Sequence, residues 1–244
     1  MKDVHIVMQG KGGVGKTLIS SLLTQYFMSS EKKVLAFDAD PINQSLLRFK
    51  GLPVTAINLM TNQEVDPRLF DPMIEKICSC DEEVIVIDSG ASSFVPLGNY
   101  LIASSIIPFL LENDCNIFLH SVIVGGQGSD DTINGLDAIL ASFMAYELRP
   151  KFSVWLNPFF SPLEFHGSAF TETKFYDKYR DSISYLVELP DLDPRLFGAD
   201  IGEMLKSGHT FAEVRSDPSL TIMIKHRLFV AQKKFFETIQ RAGL

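Results

Sequence analysis

Gly10-Lys11-Gly12-Gly13-Val14-Gly15-Lys16-Thr17 decides the reading of this chain, because it satisfies the spacing G-x-x-x-x-G-K-[ST]. An apolar, β-branched run (Val4–Met8) precedes it, and a helical pattern over Thr17–Ser29 follows, with Leu18, Leu22, Leu23 and Tyr26 on one stripe. Strand, glycine-rich loop and helix in that order form a phosphate cradle. The glycines let the backbone curl so that several N–H groups converge on one anion, and the helix N-terminus adds partial positive charge. Lys16 is placed to reach the β- and γ-phosphates of a nucleotide, and the Thr17 hydroxyl to ligate Mg²⁺. By average residue frequencies the pattern arises by chance in roughly one such chain in a hundred. The strand–helix context makes an idle glycine turn the weaker reading.

Outward from the loop, Glu83-Val84-Ile85-Val86-Ile87-Asp88 is an apolar strand ending in a carboxylate. Beside a phosphate loop, Asp88 is expected to hold Mg²⁺ through water. Further strands are expected at Lys33–Phe37, Ile117–Val124, Phe152–Leu156 and Ser184–Val187, several of them apolar on both faces. Helices are expected near Pro67–Ile77, Phe94–Ser104, Asp130–Ala145, Pro194–Lys206 and Ser219–Arg241. The alternation predicts an α/β fold with a doubly wound, mostly parallel sheet and helices on both faces. No Pro-, Gly- or Ser-rich linker divides the chain, so residues 1–244 read as a single domain with a terminal helix at about 219–241. Asp-Pro-Arg-Leu-Phe occurs at Asp66–Phe70 and again at Asp193–Phe197. An Asp cap followed by Pro is a common helix start, and no longer repeat surrounds either copy.

The 244 residues carry a formal net charge of −8, which excludes a uniformly basic nucleic-acid surface but not a local patch. Cys78, Cys80 and Cys115 read as free thiols of a reducing compartment, since Cys78-Ser79-Cys80 has neither ordinary disulfide reach nor zinc spacing. Lys11 and the glycines interrupt the first apolar stretch, so no secretory leader is expected. Tyr100–Leu111, the longest nearly uncharged run, is too short to span a bilayer. The expectation is a soluble, cytoplasmic protein.

Lys11 adds a family to this reading. Lys11-Gly12-Gly13-Val14-Gly15-Lys16-Thr17 resembles the deviant Walker A of the ParA/MinD ATPases, P-loop NTPases that bind ATP or ADP with Mg²⁺. The resemblance implies an ATP-bridged homodimer in which Lys11 acts across the interface. It implies nucleotide contacts from Gly10, Gly12, Gly13, Val14, Gly15, Lys16, Thr17 and Leu18. Phe37-Asp38-Ala39-Asp40-Pro41 resembles switch I, where Asp40 would orient the attacking water and Asp38 would support the metal and water network. Asp88-Ser89-Gly90-Ala91 resembles switch II. Asn157 and Pro190-Asp191 match positions that relatives use around adenine. Catalytic duty thus falls on Lys11, Lys16, Asp40 and Asp38, and metal binding on Thr17, Asp88 and Asp38. Met8-Gln9-Gly10-Lys11-Gly12-Gly13-Val14-Gly15-Lys16, Asp88-Ser89-Gly90-Ala91-Ser92-Ser93-Phe94-Val95-Pro96-Leu97, Gly125-Gly126-Gln127, Val154-Trp155-Leu156-Asn157-Pro158 and Ser219-Leu220-Thr221-Ile222-Met223 together resemble TraL-type conjugal transfer proteins of plasmids over nearly the whole chain. Ile42-Asn43-Gln44 departs from the Gln-Gly pair usual in partition ATPases.

The function these features imply is a slowly hydrolysing ATPase that switches a dimer in conjugative DNA transfer, with a protein partner in the conjugation apparatus. The alternatives are a partition or positioning ATPase and a nucleotide-gated recruitment module with little hydrolysis. Nucleic acid is a possible partner that the charge does not support. The last helix carries Leu220, Ile224, Leu228, Ala231, Phe235 and Ile239 at helical spacing with flanking Lys and Arg. A stripe this long reads as packed on the sheet, with peripheral membrane contact as the rarer alternative. His120, His166 and His209 lack ligand spacing and read as structural. Val124–Gly128 reads as a loop near a dimer interface or partner. Trp155–Phe175, with Phe159, Phe160 and Phe165, reads as part core and part exposed loop.

Overall fold

The computed structural model describes residues 1–159, 161–165 and 167–244; Phe160 and His166 lie outside the described residues. In chain order the elements are β1 (Lys2–Val7), α1 (Lys16–Ser29), β2 (Val34–Ala39), β3 (Val54–Ala56) and a two-residue hairpin of β4 (Met60–Thr61) and β5 (Glu64–Val65). There follow α2 (Asp71–Ser79), β6 (Val84–Ser89), α3 (Phe94–Ala103), α4 (Ile106–Glu112), β7 (Cys115–Val124), α5 (Ser129–Ala145) and β8 (Lys151–Asn157). The chain ends with α6 (Lys174–Tyr179), β9 (Ile183–Glu188), α7 (Ala199–Ser207), α8 (Phe211–Ser216) and α9 (Ile222–Ala242).

Seven strands pair in parallel in the order β3-β2-β6-β1-β7-β8-β9. Alternation along each strand feeds two cores. Ile6, Met8, Phe37, Ile87 and Leu119 face α2 to α6, where Phe70, Leu97, Leu140 and Phe143 are buried. Val7, Ala36, Val86, Val122 and Trp155 face α1 and α7 to α9, where Leu22, Leu23, Met204, Phe211 and Phe235 are buried. The doubly wound sheet read from the sequence is therefore present, with every expected strand in place. β1 and β6 sit at the middle, and their C-terminal ends deliver Gln9 and Asp88 to the same edge. That edge is where ligands bind in open parallel sheets.

Several elements depart from expectation, among them the short helices α6 and α8. The chain adds β3 at one edge. The expected Pro67–Ile77 helix splits into a 3₁₀ turn, Pro67–Phe70, and α2. The uncharged run after α3 bends through Ser105, held in a left-handed conformation, into a separate α4. The two Asp-Pro-Arg-Leu-Phe copies share one local device. Asp66 accepts from the amide of Arg68 at 3.0 Å and Asp193 from that of Arg195 at 2.9 Å, and each Arg folds back onto its Asp. In α9, Leu228, Ala231, Phe235 and Ile239 are buried against the sheet side, while Ile222, Met223 and Phe229 remain exposed. No single described helix is long and apolar enough to cross a membrane.

A buried polar chain lies under α1. Trp155 Nε1 donates to His120 Nδ1 at 2.9 Å, so Nε2 carries the proton of His120 and donates to His5 Nδ1 at 2.9 Å. The remaining N–H of His5, at Nε2, has no partner among the described residues. Desolvation, reinforced by Lys151, lowers the His5 pKa from 6.5 to about 3. A base whose folded value lies below its unfolded one takes up a proton on unfolding, so stability is lost as pH falls through 6.5 toward 3. Urea unfolding is expected to show a loss of roughly 2 kcal/mol from this group by about pH 4.5. His5→Phe should shallow that limb without abolishing it, because burial also lowers the pKa of His120; an unchanged slope would remove His5 as a cause.

Candidate nucleotide site

The loop between β1 and α1 is shaped by its glycines. Gly13 (φ 75°) and Gly15 (φ 104°) occupy conformations that residues with a Cβ rarely adopt. A methyl group on Gly15 would also lie 2.6 Å from Nδ2 of Asn157. No side chain caps α1, and no acidic residue stands in its first turn, so its leading amides remain available to an anion. The loop is fastened from behind. Gln9, fully buried, accepts from the Gly10 amide at 2.8 Å and donates to Ser121 Oγ, Val122 O and Thr132 O at 3.2, 3.1 and 2.9 Å. Asn157, also buried, donates to Val14 O at 2.9 Å and accepts from the Phe159 amide at 3.1 Å.

Lys16 Nζ lies 2.9 Å from Lys11 O. Burial holds its ammonium below the ordinary value, against the opposing pull of Asp88 and Asp40. Thr17 Oγ1 donates to Asp88 Oδ2 at 2.7 Å, and Ser20 Oγ donates to Asp88 Oδ1 at 2.8 Å. Desolvation raises the Asp88 pKa to about 7 even though both hydroxyls favour its charged form. Asp40 Oδ1 accepts from the amides of Ile42 and Asn43 at 2.9 and 3.0 Å. A methyl group on Gly90 would lie 2.6 Å from Asp40 Cγ, so the two switch-like segments touch through a missing side chain. Ser93 Oγ ties them again, donating to Ala39 O or Gly90 O at 3.0 and 3.1 Å.

A cavity of about 720 Å³ collects Gly12, Gly13, Gly15, Lys16, Thr17, Asp40, Ser89 and Ala91. A smaller one beside it is lined by Leu18, Asn157, Pro190, Asp191 and Ile201, and Leu18 and Phe159 border both. Residues expected at phosphate, water and adenine thus line one connected edge, with Thr17 among them, while the buried Asp88 lies behind Thr17 and lines neither cavity. Three of the expected residues are engaged elsewhere in the chain. Asp38 is fully buried, does not line either cavity, and receives the amides of Asp40 and Leu47 at 3.1 and 2.9 Å. Burial pushes its carboxyl upward, and its immediate duty is to anchor the 40–47 segment. The Asn157 amide is already committed to the loop and to Phe159, as burial requires of a polar group. Lys11, the lysine expected to act across a dimer, pairs in its own chain with Asp131 on α5 at 2.7 Å, with both side chains about half exposed. The Gly125 loop rests on the backbone of Pro162, where any Cβ would collide with the carbonyl. Sequence reasoning missed Ser20, although its spacing from Thr17 puts both hydroxyls on one helix face. It also missed Arg48 and Lys206, which line the larger cavity and carry no pattern.

The fit of Mg²⁺ and a nucleotide can be judged on the donor set. Thr17 lines the cavity and its hydroxyl donates to the Asp88 carboxylate buried just behind it, so two hard oxygen donors adjoin beneath a curled run of amides. The Ser89 hydroxyl in the lining is buried without a partner among the described residues. These residues fit a metal-bound phosphate.

Comparisons with known proteins agree with the geometry. Residues 5–227 match the family described as the CobQ/CobB/MinD/ParA nucleotide binding domain. Two proteins of Escherichia coli, each named Protein TraL, are 37% identical over 244 residues, the whole of both chains. In fold the chain is similar to the MinD cell division protein of Aquifex aeolicus (TM-score 0.57, 16% identity, 98% of this chain and 96% of that one). It is also similar to a plasmid partition protein of Borrelia burgdorferi bound to AMPPNP (TM-score 0.53, 12% identity, 99% of each chain).

Proposed function

The chain belongs to the CobQ/CobB/MinD/ParA family of nucleotide-binding domains, and from that premise we propose that it is a Mg²⁺-dependent ATPase, one unit over residues 1–244, that turns over slowly and switches a homodimer. The observation that carries this reading is the Thr17–Asp88–Ser20 cluster, set at the foot of the phosphate loop with Asp40 folded against Gly90. Loop amides and Lys16 would bind the phosphate chain. Thr17 and Asp88 would hold Mg²⁺, whose chemistry is to neutralise charge on the phosphates. Asp40 would orient water, with Asp38 keeping its segment in place, and Leu18, Asn157 and Pro190 would flank adenine. Likeness to the two TraL proteins supports a place in plasmid conjugative transfer, in the cytoplasm, with a protein of that apparatus as partner.

Lys11 would leave Asp131 to act on the partner's nucleotide. An ion pair this exposed contributes at most about 1 kcal/mol, so exchange of partners is cheap. Light scattering after size exclusion, with a non-hydrolysable ATP analogue and Mg²⁺, is expected to show wild type as a dimer and Lys11→Ala as a monomer that still binds. Asp40→Ala should bind ATP, hydrolyse it at least tenfold more slowly, and stay dimeric. Wild type that binds the analogue but stays monomeric would end the dimer switch. A second reading, a recruitment module with little hydrolysis, is favoured by one feature: Asp40 Oδ1 is already occupied by two loop amides. In that case Asp40→Ala would leave conjugation intact while Lys16→Ala would not.

A further inference from the structure

Two cations line the phosphate cavity from outside the loop. Arg48 ends the 3₁₀ turn Leu46–Arg48, and Lys206 lies in the last turn of α7. Gly208 brings them together. It caps α7 with φ 69°, and a methyl group there would run into the Arg48 carbonyl, so the end of the helix rests on the backbone of the turn. Lys11, Lys32, Lys178 and Arg227 each pair with a carboxylate. Arg48 and Lys206 have no side-chain hydrogen bond or ion pair among the described residues. With Lys16 they put three cations around one cavity, and Asp40 is the one carboxylate among the described residues lining it. That imbalance suits a polyanion.

The course of α7 says which part of the polyanion. Ile201 lines the smaller cavity, where the base is expected, while Leu205 and Lys206 line the larger one. Five residues of helix advance about 7.5 Å, close to the span of a ribose between a base and its first phosphate. With the base beside Ile201, Lys206 stands level with the phosphates.

We infer that Arg48 and Lys206 form a second cationic wall that grips the phosphate chain of a nucleoside di- or triphosphate from the side away from the phosphate loop. This rests on the nucleotide reading above. Arg48 offers a planar fork for two phosphate oxygens and Lys206 a single mobile charge. Arg48 directly follows the segment anchored by Asp38, so Arg48 and Asp40 belong to one stretch of chain, while Lys206 approaches from α7.

Calorimetric titration of the full-length protein with Mg-ADP and Mg-ATP at several salt concentrations tests this. Arg48→Ala and Lys206→Ala should each weaken binding roughly tenfold and make affinity less sensitive to salt, as loss of one charge-assisted contact does. Arg48→Lys should recover part of the loss. Alanine variants that bind within twofold of wild type at an unchanged salt slope, while Lys16→Ala loses binding, would overturn the wall and spare the loop. Weakening that tracks a lower melting temperature, with no change in salt slope, would assign the pair a structural role and overturn it too. If Lys16→Ala itself bound normally, the nucleotide reading would fail first.

Discussion

Lys16→Ala is expected to weaken Mg-ATP binding at least a hundredfold, the scale set by losing a buried charge-assisted contact worth about 3 kcal/mol. Nothing else on the loop can replace it. Lys11, five residues earlier, is held outward by Asp131, and only the Lys11 carbonyl turns in, toward Lys16 Nζ. Folding should tolerate the change, because burial already disfavours the Lys16 charge. Truncation also leaves Asp88 with both hydroxyl donors. The check is a titration with fluorescent nucleotide beside a thermal melt. A melt within a few degrees of wild type with lost binding supports the assignment; binding within about fivefold of wild type would show that this loop does not hold the phosphates.

The second large effect should come with opposite signs in function and stability. Asp88→Asn is expected to lower Mg²⁺-dependent hydrolysis at least a hundredfold, by removing the negative ligand beside Thr17. The same change should stabilise the nucleotide-free protein. The folded pKa of Asp88, about 7, lies above its ordinary value of 3.8. Its stabilising contribution is therefore complete below 3.8 and is lost as pH rises through 7, the reverse of the His5 dependence. An asparagine has no charge to bury and should gain roughly 1–3 kcal/mol at about pH 8, and little at about pH 4. Urea midpoints at the two pH values would decide it. A variant no more stable at either would mean that the buried carboxylate is not strained by desolvation.

Much of this was legible because each signal was local. Eight consecutive residues specify the loop, and an apolar strand ending in Asp88 specifies the carboxylate opposite. What escaped was short or non-local. β3 is three residues, too few for alternation to register. α6 and α8 have six residues each, and only their threonine caps, Thr173 and Thr210, announce them. The α3–α4 break falls in an uncharged run whose hydropathy reads straight across it. At the site, Asp38 and Asn157 stand at motif positions, but the atoms they bond come from Leu47 and Val14, at distances in sequence that no motif encodes. Arg48 and Lys206 line one cavity although they are far apart in sequence, with the end of α7 resting on the Arg48 backbone at Gly208.

Gln9 and Asn157 clamp the loop from two sides before any ligand arrives. A clamped loop has little conformational freedom left to surrender on binding. Binding heats for ADP should then carry a small entropic penalty, and the association rate should reflect diffusion into the cleft rather than the time taken for a loop to fold around its guest.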